Sequence, residues 1–191
     1  MHAHSSLIAN RDNPAAVLHK TIQWISQTGS QFLVSSSCKN PIVMTYQSLR
    51  NTNFCALIHL SREENILCFT VSNGLAIPPC KLPLVLDFLD AINQHSPYKL
   101  EFDHKDSAIW TSLFIKLTDE ELQDADIEDP FNFACKMIDD STVPLLTMIY
   151  GNNSLQDAIS AYDKALAISP TAWRASIEPW PSKRKAIEMC H

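Results

Sequence analysis

Glycine is scarce in this chain, which contains only Gly29, Gly74 and Gly151. A phosphate-binding loop needs several glycines close together, so that backbone N–H groups can approach the ligand. The wide spacing of these three residues excludes such a loop. The common glycine-rich nucleotide-binding motifs are therefore excluded as well.

Positive charge and long apolar runs are also scarce. Lys and Arg number 15 against 21 Asp and Glu, which gives a formal net charge of -6. An acidic chain neutralises few phosphates, so nucleic acid and anionic membrane surfaces are poor bulk partners. No apolar stretch approaches the roughly 20 residues of a membrane span, and no signal peptide precedes residue 20. We therefore expect a soluble, cytoplasmic protein.

The cysteines are not paired in the sequence. The chain has six and no C-x-x-C motif, and most of them lie inside apolar runs. Disulfide frameworks are typical of small secreted domains, whereas 191 residues can bury a core without them. The cysteines are therefore predicted to be reduced thiols.

The first half of the chain predicts one helix followed by strands. Residues 1–12 are predicted to be a flexible N-terminus, and Asn13 with Pro14 marks the start of a helix. Four apolar or alternating segments after that helix are predicted to be strands: 32–34, 42–46, 54–60 and 66–72.

The last two of these strands are apolar on both sides. If Ile58 faces Cys68, then Leu57 shares a face with Phe69 and Val71. Such a pair lies at the centre of the sheet with both faces covered, or it uses its second face as a subunit or partner interface.

A helix and a hairpin follow. The helix begins at Leu82, and the hairpin consists of strands 98–103 and 109–117. If Phe102 stands opposite Ile109, one face of the hairpin is apolar. The other face is polar except for two aromatic residues, Trp110 and Phe114.

Two more helices are predicted after the hairpin. Asp129 is interpreted as the N-cap of the first, with Pro130 at its first position, and Pro144 should interrupt or restart it before Gly151 ends it. The second helix begins at Ser154.

Between Ile77 and Ala158, a set of structural positions forms a pattern. It comprises Pro78, Leu89, Ile92-Asn93, Leu100, Phe102, Asp103, Thr111-Ser112-Leu113, Pro144-Leu145, Gly151 and Ser154-Leu155-Gln156-Asp157-Ala158. With these positions the chain resembles the YbjN family, which is similar in fold to the chaperones of bacterial type III secretion.

This resemblance implies an α+β fold in which helices flank a twisted antiparallel sheet, with an added C-terminal helix and tail. It implies one YbjN-like domain over residues 13–168 and a tail over 169–191. The matched positions include no catalytic residue. The resemblance therefore implies a bacterial, non-catalytic regulatory or binding protein, homodimeric like the secretion chaperones and without a cofactor.

An enzyme with a cysteine nucleophile is the first alternative. No family signature surrounds any cysteine, so a buried thiol that acts as a small hydrophobic side chain is the favoured interpretation. No catalytic residue is assigned. The candidate nucleophiles are Cys55, Cys68, Cys80 and Cys135, and the histidines that could activate them are His19, His59, His95 and His104.

Metal sites are predicted to be absent. His2 with His4, and Cys190 with His191, offer too few ligands for a built site. The acidic run 124–129 lacks the loop spacing of an EF-hand, and it is interpreted as the solvated start of a helix.

Nucleic acid is not an expected partner. The basic run 183–185 lies beside Trp180 and could contact nucleic acid through charge and stacking. Three charges on an acidic chain favour a solvated tail instead.

Apolar surface is the strongest functional signal, because large aromatic residues on an otherwise polar face are typical anchors of protein interfaces. We predict that another protein binds there. The predicted partner-binding residues are Leu57, Phe69, Val71, Trp110 and Phe114. Two alternatives remain open: a terminal segment containing Trp173 and Trp180 covers these residues, or the chain is a structural subunit of a larger assembly.

Overall fold

The secondary structure comes from a computed structural model, which describes residues 13–28, 31–35, 42–48, 53–61, 65–94, 96 and 98–167. The helices are α1 (Pro14–Gln27), α2 (Leu82–Gln94), α3 (Asp124–Ile149) and α4 (Leu155–Ala167), with a short 3₁₀ turn at Pro79–Lys81. The strands are β1 (Gln31–Ser35), β2 (Ile42–Ser48), β3 (Asn53–Ser61), β4 (Ile66–Asn73), β5 (Leu100–Asp103) and β6 (Ala108–Lys116).

All six strands form one antiparallel sheet in the order β1-β2-β3-β4-β6-β5. The predicted α+β class, an antiparallel sheet with flanking helices, is confirmed. β3 and β4 occupy the centre of the sheet. The predictions for residues 1–12 and for the tail at 169–191 fall outside the described residues.

Helix α1 begins as predicted. The Asn13 side-chain oxygen accepts a hydrogen bond from the Ala16 backbone N–H at 3.1 Å, and Pro14 occupies the first turn, where it leaves no hydrogen bond unmade. Val17, Trp24 and Ile25 are buried. These residues turn one side of α1 toward the core.

The core lies between α1, α3 and one face of the sheet, which we call the inner face. Phe131 of α3 contacts three rings there, with centroid distances of 5.1 Å to Trp24, 6.2 Å to Phe54 and 6.3 Å to Phe69. The buried apolar strand residues of the inner face are Phe54, Ala56, Ile58, Leu60, Leu67, Phe69, Val71, Leu100, Ile109 and Leu113. Burial of these side chains is the main force that holds α3 on the sheet.

Helix α4 packs against α2 and α3. Phe88 of α2 and Tyr162 of α4 form an edge-to-face pair with centroids 6.0 Å apart. Ser154 begins α4 as predicted, because its hydroxyl accepts from the Asp157 N–H at 3.2 Å while an Asp157 carboxylate oxygen accepts from the Ser154 N–H at 3.1 Å. The Ser154 hydroxyl also donates to Asp157 Oδ2 at 2.7 Å, and this bond, together with the one from the Ser154 N–H, lowers the pKa of Asp157 below its ordinary value.

The predicted start of α3 is wrong. The helix begins at Asp124, not after Asp129, and the Gln123 N–H donates to Asp126 Oδ2 at 2.7 Å to close a capping box six residues earlier. Pro130 therefore lies inside the helix. Ile127 and Pro130 are both buried, and this early turn adds apolar contacts that offset the missing N–H of the proline.

The predicted interruption at Pro144 is also wrong, because α3 continues to Ile149. Pro144, Leu145 and Met148 are buried, so a break here would expose apolar surface. The Thr147 hydroxyl lies 3.0 Å from the Pro144 carbonyl, to which it can donate. The helix ends just before Gly151, as predicted.

Of the two predicted hairpin registers, one is confirmed and the other is wrong. Phe102 stands opposite Ile109, as predicted. The predicted pairing of Ile58 with Cys68 is wrong, because Ile58 stands opposite Phe69 and Cys68 stands opposite His59. A shift of one residue in the pairing moves every side chain of β4 to the opposite face of the sheet. Each face therefore carries the β4 residues that were predicted for the other face.

Candidate protein-binding surface

The face of the sheet opposite α1 and α3, which we call the outer face, has a mixed composition. Three rows of neighbouring residues cross β3, β4 and β6, and strand spacing places adjacent members about 5 Å apart. The rows are Cys55–Ser72–Trp110, Leu57–Thr70–Ser112 and His59–Cys68–Phe114.

The five predicted partner-binding residues divide between the two faces. Phe69 and Val71 lie on the inner face, are 0% exposed and stand opposite Ile58 and Ala56. The prediction that they share a face with Leu57 is wrong. β3 and β4 are apolar on both sides, so the sequence pattern allows two registers, and the observed register differs from the predicted one by one residue. Phe69 and Val71 belong to the core.

Leu57, Trp110 and Phe114 lie on the outer face, and all three side chains are half-buried. Trp110 and Phe114 stand on either side of Ser112, two residues away along β6. The hydroxyls of Ser112 and Thr70 share a hydrogen bond of 2.7 Å. Aromatic groups therefore flank a small polar centre, a combination that fits protein interfaces.

One cysteine and one histidine meet on the outer face, a juxtaposition that the predicted register misses. Cys68 and His59 are direct neighbours on β4 and β3, and Cys68 Sγ lies 3.6 Å from the Thr70 hydroxyl. Cys68 is only 1% exposed, so the thiol is closed to a substrate in this conformation. The correct β3–β4 register is the signal that would have identified this pair.

His59 is 7% exposed, and among the described residues its Nε2 atom has no hydrogen-bond partner. Burial lowers the pKa of His59 below its ordinary value, because the charged imidazolium would lose hydration without gaining a partner. A neutral ring is therefore favoured at neutral pH.

His59 should make the protein less stable in mild acid. Below pH 6.5 the unfolded chain takes up a proton that folded His59 resists, so the free energy of unfolding falls as the pH drops from 6.5 toward the lowered folded pKa. The slope from this one group is at most about 1.4 kcal/mol per pH unit. Urea unfolding between pH 7 and pH 5 measures it.

The matched comparison is His59→Leu against His19→Leu, since His19 is exposed on α1. The first change should flatten the pH dependence, and the second should leave the wild-type slope. Equal slopes in wild type and His59→Leu would contradict this account of His59.

The remaining candidate nucleophiles lie elsewhere in the fold. Cys80 is exposed in the 3₁₀ turn, and Cys55 is half-buried on β3. Cys135 is buried in α3, where burial and the nearby Asp139 carboxylate both raise the pKa of its thiol. A raised thiol pKa opposes nucleophilic reactivity.

His104 is exposed in the β5–β6 turn, and His95 lies outside the described residues.

The residues that were considered as metal ligands lie in two parts of the chain. His2, His4, Cys190 and His191 lie outside the described residues, as does the basic run 183–185. The acidic run contributes Asp124 and Asp126 to the first turn of α3, where negative charge meets the positive end of the helix dipole. In the part of the chain that the structure describes, no three His, Cys, Asp or Glu residues are placed to hold a metal ion.

Comparison with known proteins gives a likeness among solved structures. No protein-family model matches the chain, and no curated protein matches it. Among solved structures, the chain is similar to the crystal structure of YbjN from E. coli, a proposed transcription regulator. The two are 16% identical, the match covers 77% of this chain and 92% of that chain, and the TM-score is 0.39.

The structural likeness confirms the predicted resemblance to YbjN. At this identity and TM-score it gives no argument about activity or partners. The α+β fold itself follows from the sheet and helices described above. Across the described ranges, no helix combines the length and the apolar character that a membrane crossing requires.

Proposed function

We propose that this protein is a non-catalytic binding module that engages another protein through the outer face of its sheet. The observation that carries the proposal is the grouping of Leu57, Trp110 and Phe114 around the Thr70–Ser112 hydroxyl pair. We also propose that the protein regulates its partner through this contact and that it does so in the cytoplasm.

Aromatic anchors explain why this face suits a protein partner. Trp and Tyr contribute disproportionately to binding energy at protein interfaces, and neighbouring apolar side chains exclude water from them. The paired hydroxyls of Thr70 and Ser112 offer hydrogen-bonding groups at the centre of the contact. With a net charge of -6, the chain favours a partner segment that is apolar and either neutral or basic.

In-cell crosslinking followed by affinity capture and mass spectrometry tests the proposal. We expect wild type to retain a protein that a Trp110→Ala/Phe114→Ala variant recovers at least about tenfold less, since losing two anchors removes more than about 1.4 kcal/mol of binding free energy. The control is Val143→Ala, which shortens an exposed apolar side chain on α3.

Circular dichroism of the three proteins checks that the sheet is intact. Equal recovery of every partner by wild type and the double variant would remove this surface from the proposal. Capture of only further copies of the chain would point instead to a self-contained homodimer.

A further inference from the structure

Strand β1 lies at one edge of the sheet, and its apolar side chains are exposed. Leu33 is 67% exposed and Val34 is 43% exposed, although both are large apolar residues. Among the described residues, β1 has a strand neighbour on one side only, which is β2. An exposed apolar edge of this kind is a template for pairing with another strand.

The opposite edge of the sheet, β5, is protected against such pairing. The Asn93 side chain of α2 donates to the Leu100 carbonyl at 2.7 Å and accepts from the Leu100 N–H at 2.9 Å, so it occupies both backbone groups. Glu101 and Asp103 add charge to the same strand. Natural sheets protect their edges in such ways, whereas β1 contains no charged residue and no proline. The edge that suits another strand is therefore β1.

We propose that a second copy of this chain pairs with β1, antiparallel, about a two-fold axis at Leu33. The sequence of β1, Gln-Phe-Leu-Val-Ser, has the same pattern of polarity in both directions. An axis at its central residue places Leu33 opposite its own counterpart, Phe32 opposite Val34, and Gln31 opposite Ser35. Apolar residues then meet apolar residues and polar residues meet polar ones, as an isologous interface requires.

This pairing also keeps the faces of the sheet aligned. Val34 stands opposite Val43, which stands opposite Ile58 of the inner face, so Phe32 and Val34 belong to the inner face and Leu33 to the outer face. In the proposed register, inner-face residues of one copy meet inner-face residues of the other. The pairing of Phe32 with Val34 therefore extends the apolar inner layer of both copies.

Charge favours a second copy at this edge. The net charge of -6 makes two copies repel each other, and the repulsion is smallest where carboxylates are absent. No Asp or Glu occurs between Asp12 and Glu63, the stretch that contains α1, β1, β2 and β3, while 20 of the 21 acidic residues lie at Glu63 or beyond. Pairing through β1 therefore joins the two copies through elements that lack carboxylates.

The proposed dimer would join two six-stranded sheets into one. Because the two-fold axis of an antiparallel pair runs perpendicular to the sheet, the outer faces of both copies would lie on the same side. Trp110 and Phe114 would then occur twice on that side, and the dimer would present two equivalent binding surfaces to a partner. β1 contains neither residue, so the dimer goes beyond the proposed function and can be tested without it.

Sedimentation equilibrium of the purified full chain, over roughly 1–100 μM, tests the dimer. We expect wild type to form a dimer and Leu33→Lys to raise its dissociation constant at least about tenfold, because like charges would meet at the axis in place of apolar side chains. The matched control is Val143→Lys, which adds the same charge at an exposed apolar residue of α3 and should dimerise as wild type does.

Circular dichroism confirms that the three proteins are folded. A wild type that stays monomeric over this range would overturn the proposal, whether or not β1 binds a segment of a different protein. A Leu33→Lys variant that dimerises as tightly as wild type would overturn it as well, since the dimer would then form elsewhere.

Thiol crosslinking tests the register and does not depend on Leu33→Lys. Opposite residues of an antiparallel pair have Cα atoms about 4.5–5.5 Å apart, which is within reach of a disulfide. Leu33→Cys, oxidised with diamide, should give a linked dimer that mass spectrometry maps to position 33 in both chains. The variants carry Cys38→Ser as well, because that thiol lies close by in the sequence.

Gln31→Cys and Ser35→Cys provide the matched comparison. In the proposed register, position 31 lies opposite position 35 and about 13 Å from its own counterpart. Each variant alone should therefore link poorly at the introduced thiol, and a mixture of the two should link at least about tenfold faster. A missing link at position 33, or equal rates for Gln31→Cys alone and in the mixture, would overturn the proposed pairing.

Discussion

Phe131→Ala is expected to lower the free energy of unfolding by about 4 kcal/mol. The ring is 2% exposed and lies between Trp24, Phe54 and Phe69. Its removal leaves a cavity at the point where α1, α3 and the two central strands meet. Domains of this kind have about 5–15 kcal/mol in total, so much of the stability is lost.

Urea unfolding followed by circular dichroism measures the effect of Phe131→Ala. The conservative change Phe131→Leu keeps most of the volume and should lower the free energy of unfolding by only about 1 kcal/mol. A loss below about 1 kcal/mol for Phe131→Ala would contradict the packing of α3 on the inner face.

Gly151→Ala is expected to lower the free energy of unfolding by about 2 kcal/mol. A Cβ atom at Gly151 would lie 2.5 Å from the Thr147 carbonyl oxygen, and this contact is with backbone that cannot rotate away. The turn between α3 and α4 would have to open, and the packing between these two helices would weaken.

Gly74 provides the matched control for Gly151. A Cβ atom at Gly74 meets nothing within 4 Å, so Gly74→Ala should leave stability unchanged or raise it by up to about 1 kcal/mol. Thermal unfolding of both variants separates the two cases. Equal melting temperatures for the two variants would contradict the close approach at Gly151.

Short turns and cap residues made much of the fold predictable. Asn13 and Ser154 mark helix starts through hydrogen bonds to their own first turns. The β5–β6 pairing was predictable because four turn residues join strands with one apolar and one polar face. In such strands only one register places the apolar residues together.

The central strands lacked that restriction. β3 and β4 are apolar on both sides, so a shift of one residue satisfies the sequence pattern equally well, and Phe69 and Val71 were assigned to the wrong face. The start of α3 was misplaced because Asp129-Pro130 has the local pattern of a helix start. A capping box at Gln123 and buried Ile127 start the helix six residues earlier.

Assignment of the predicted binding residues to a face depended on the same difference between strands with one apolar face and strands that are apolar on both sides. Trp110 and Phe114 were placed on the correct face through the well-determined hairpin, and Leu57 joins them through the observed register. His59 and Cys68 lie on different strands, so their neighbouring positions could not be predicted without the correct pairing.

The affinity of the purified protein for a partner captured in cells tests the binding surface most directly. Isothermal titration should give a dissociation constant at least about tenfold higher for Trp110→Ala/Phe114→Ala than for wild type, with Val143→Ala equal to wild type. Dissociation constants that agree within about twofold across all three proteins, each confirmed to be folded, would contradict the outer face as the site of binding.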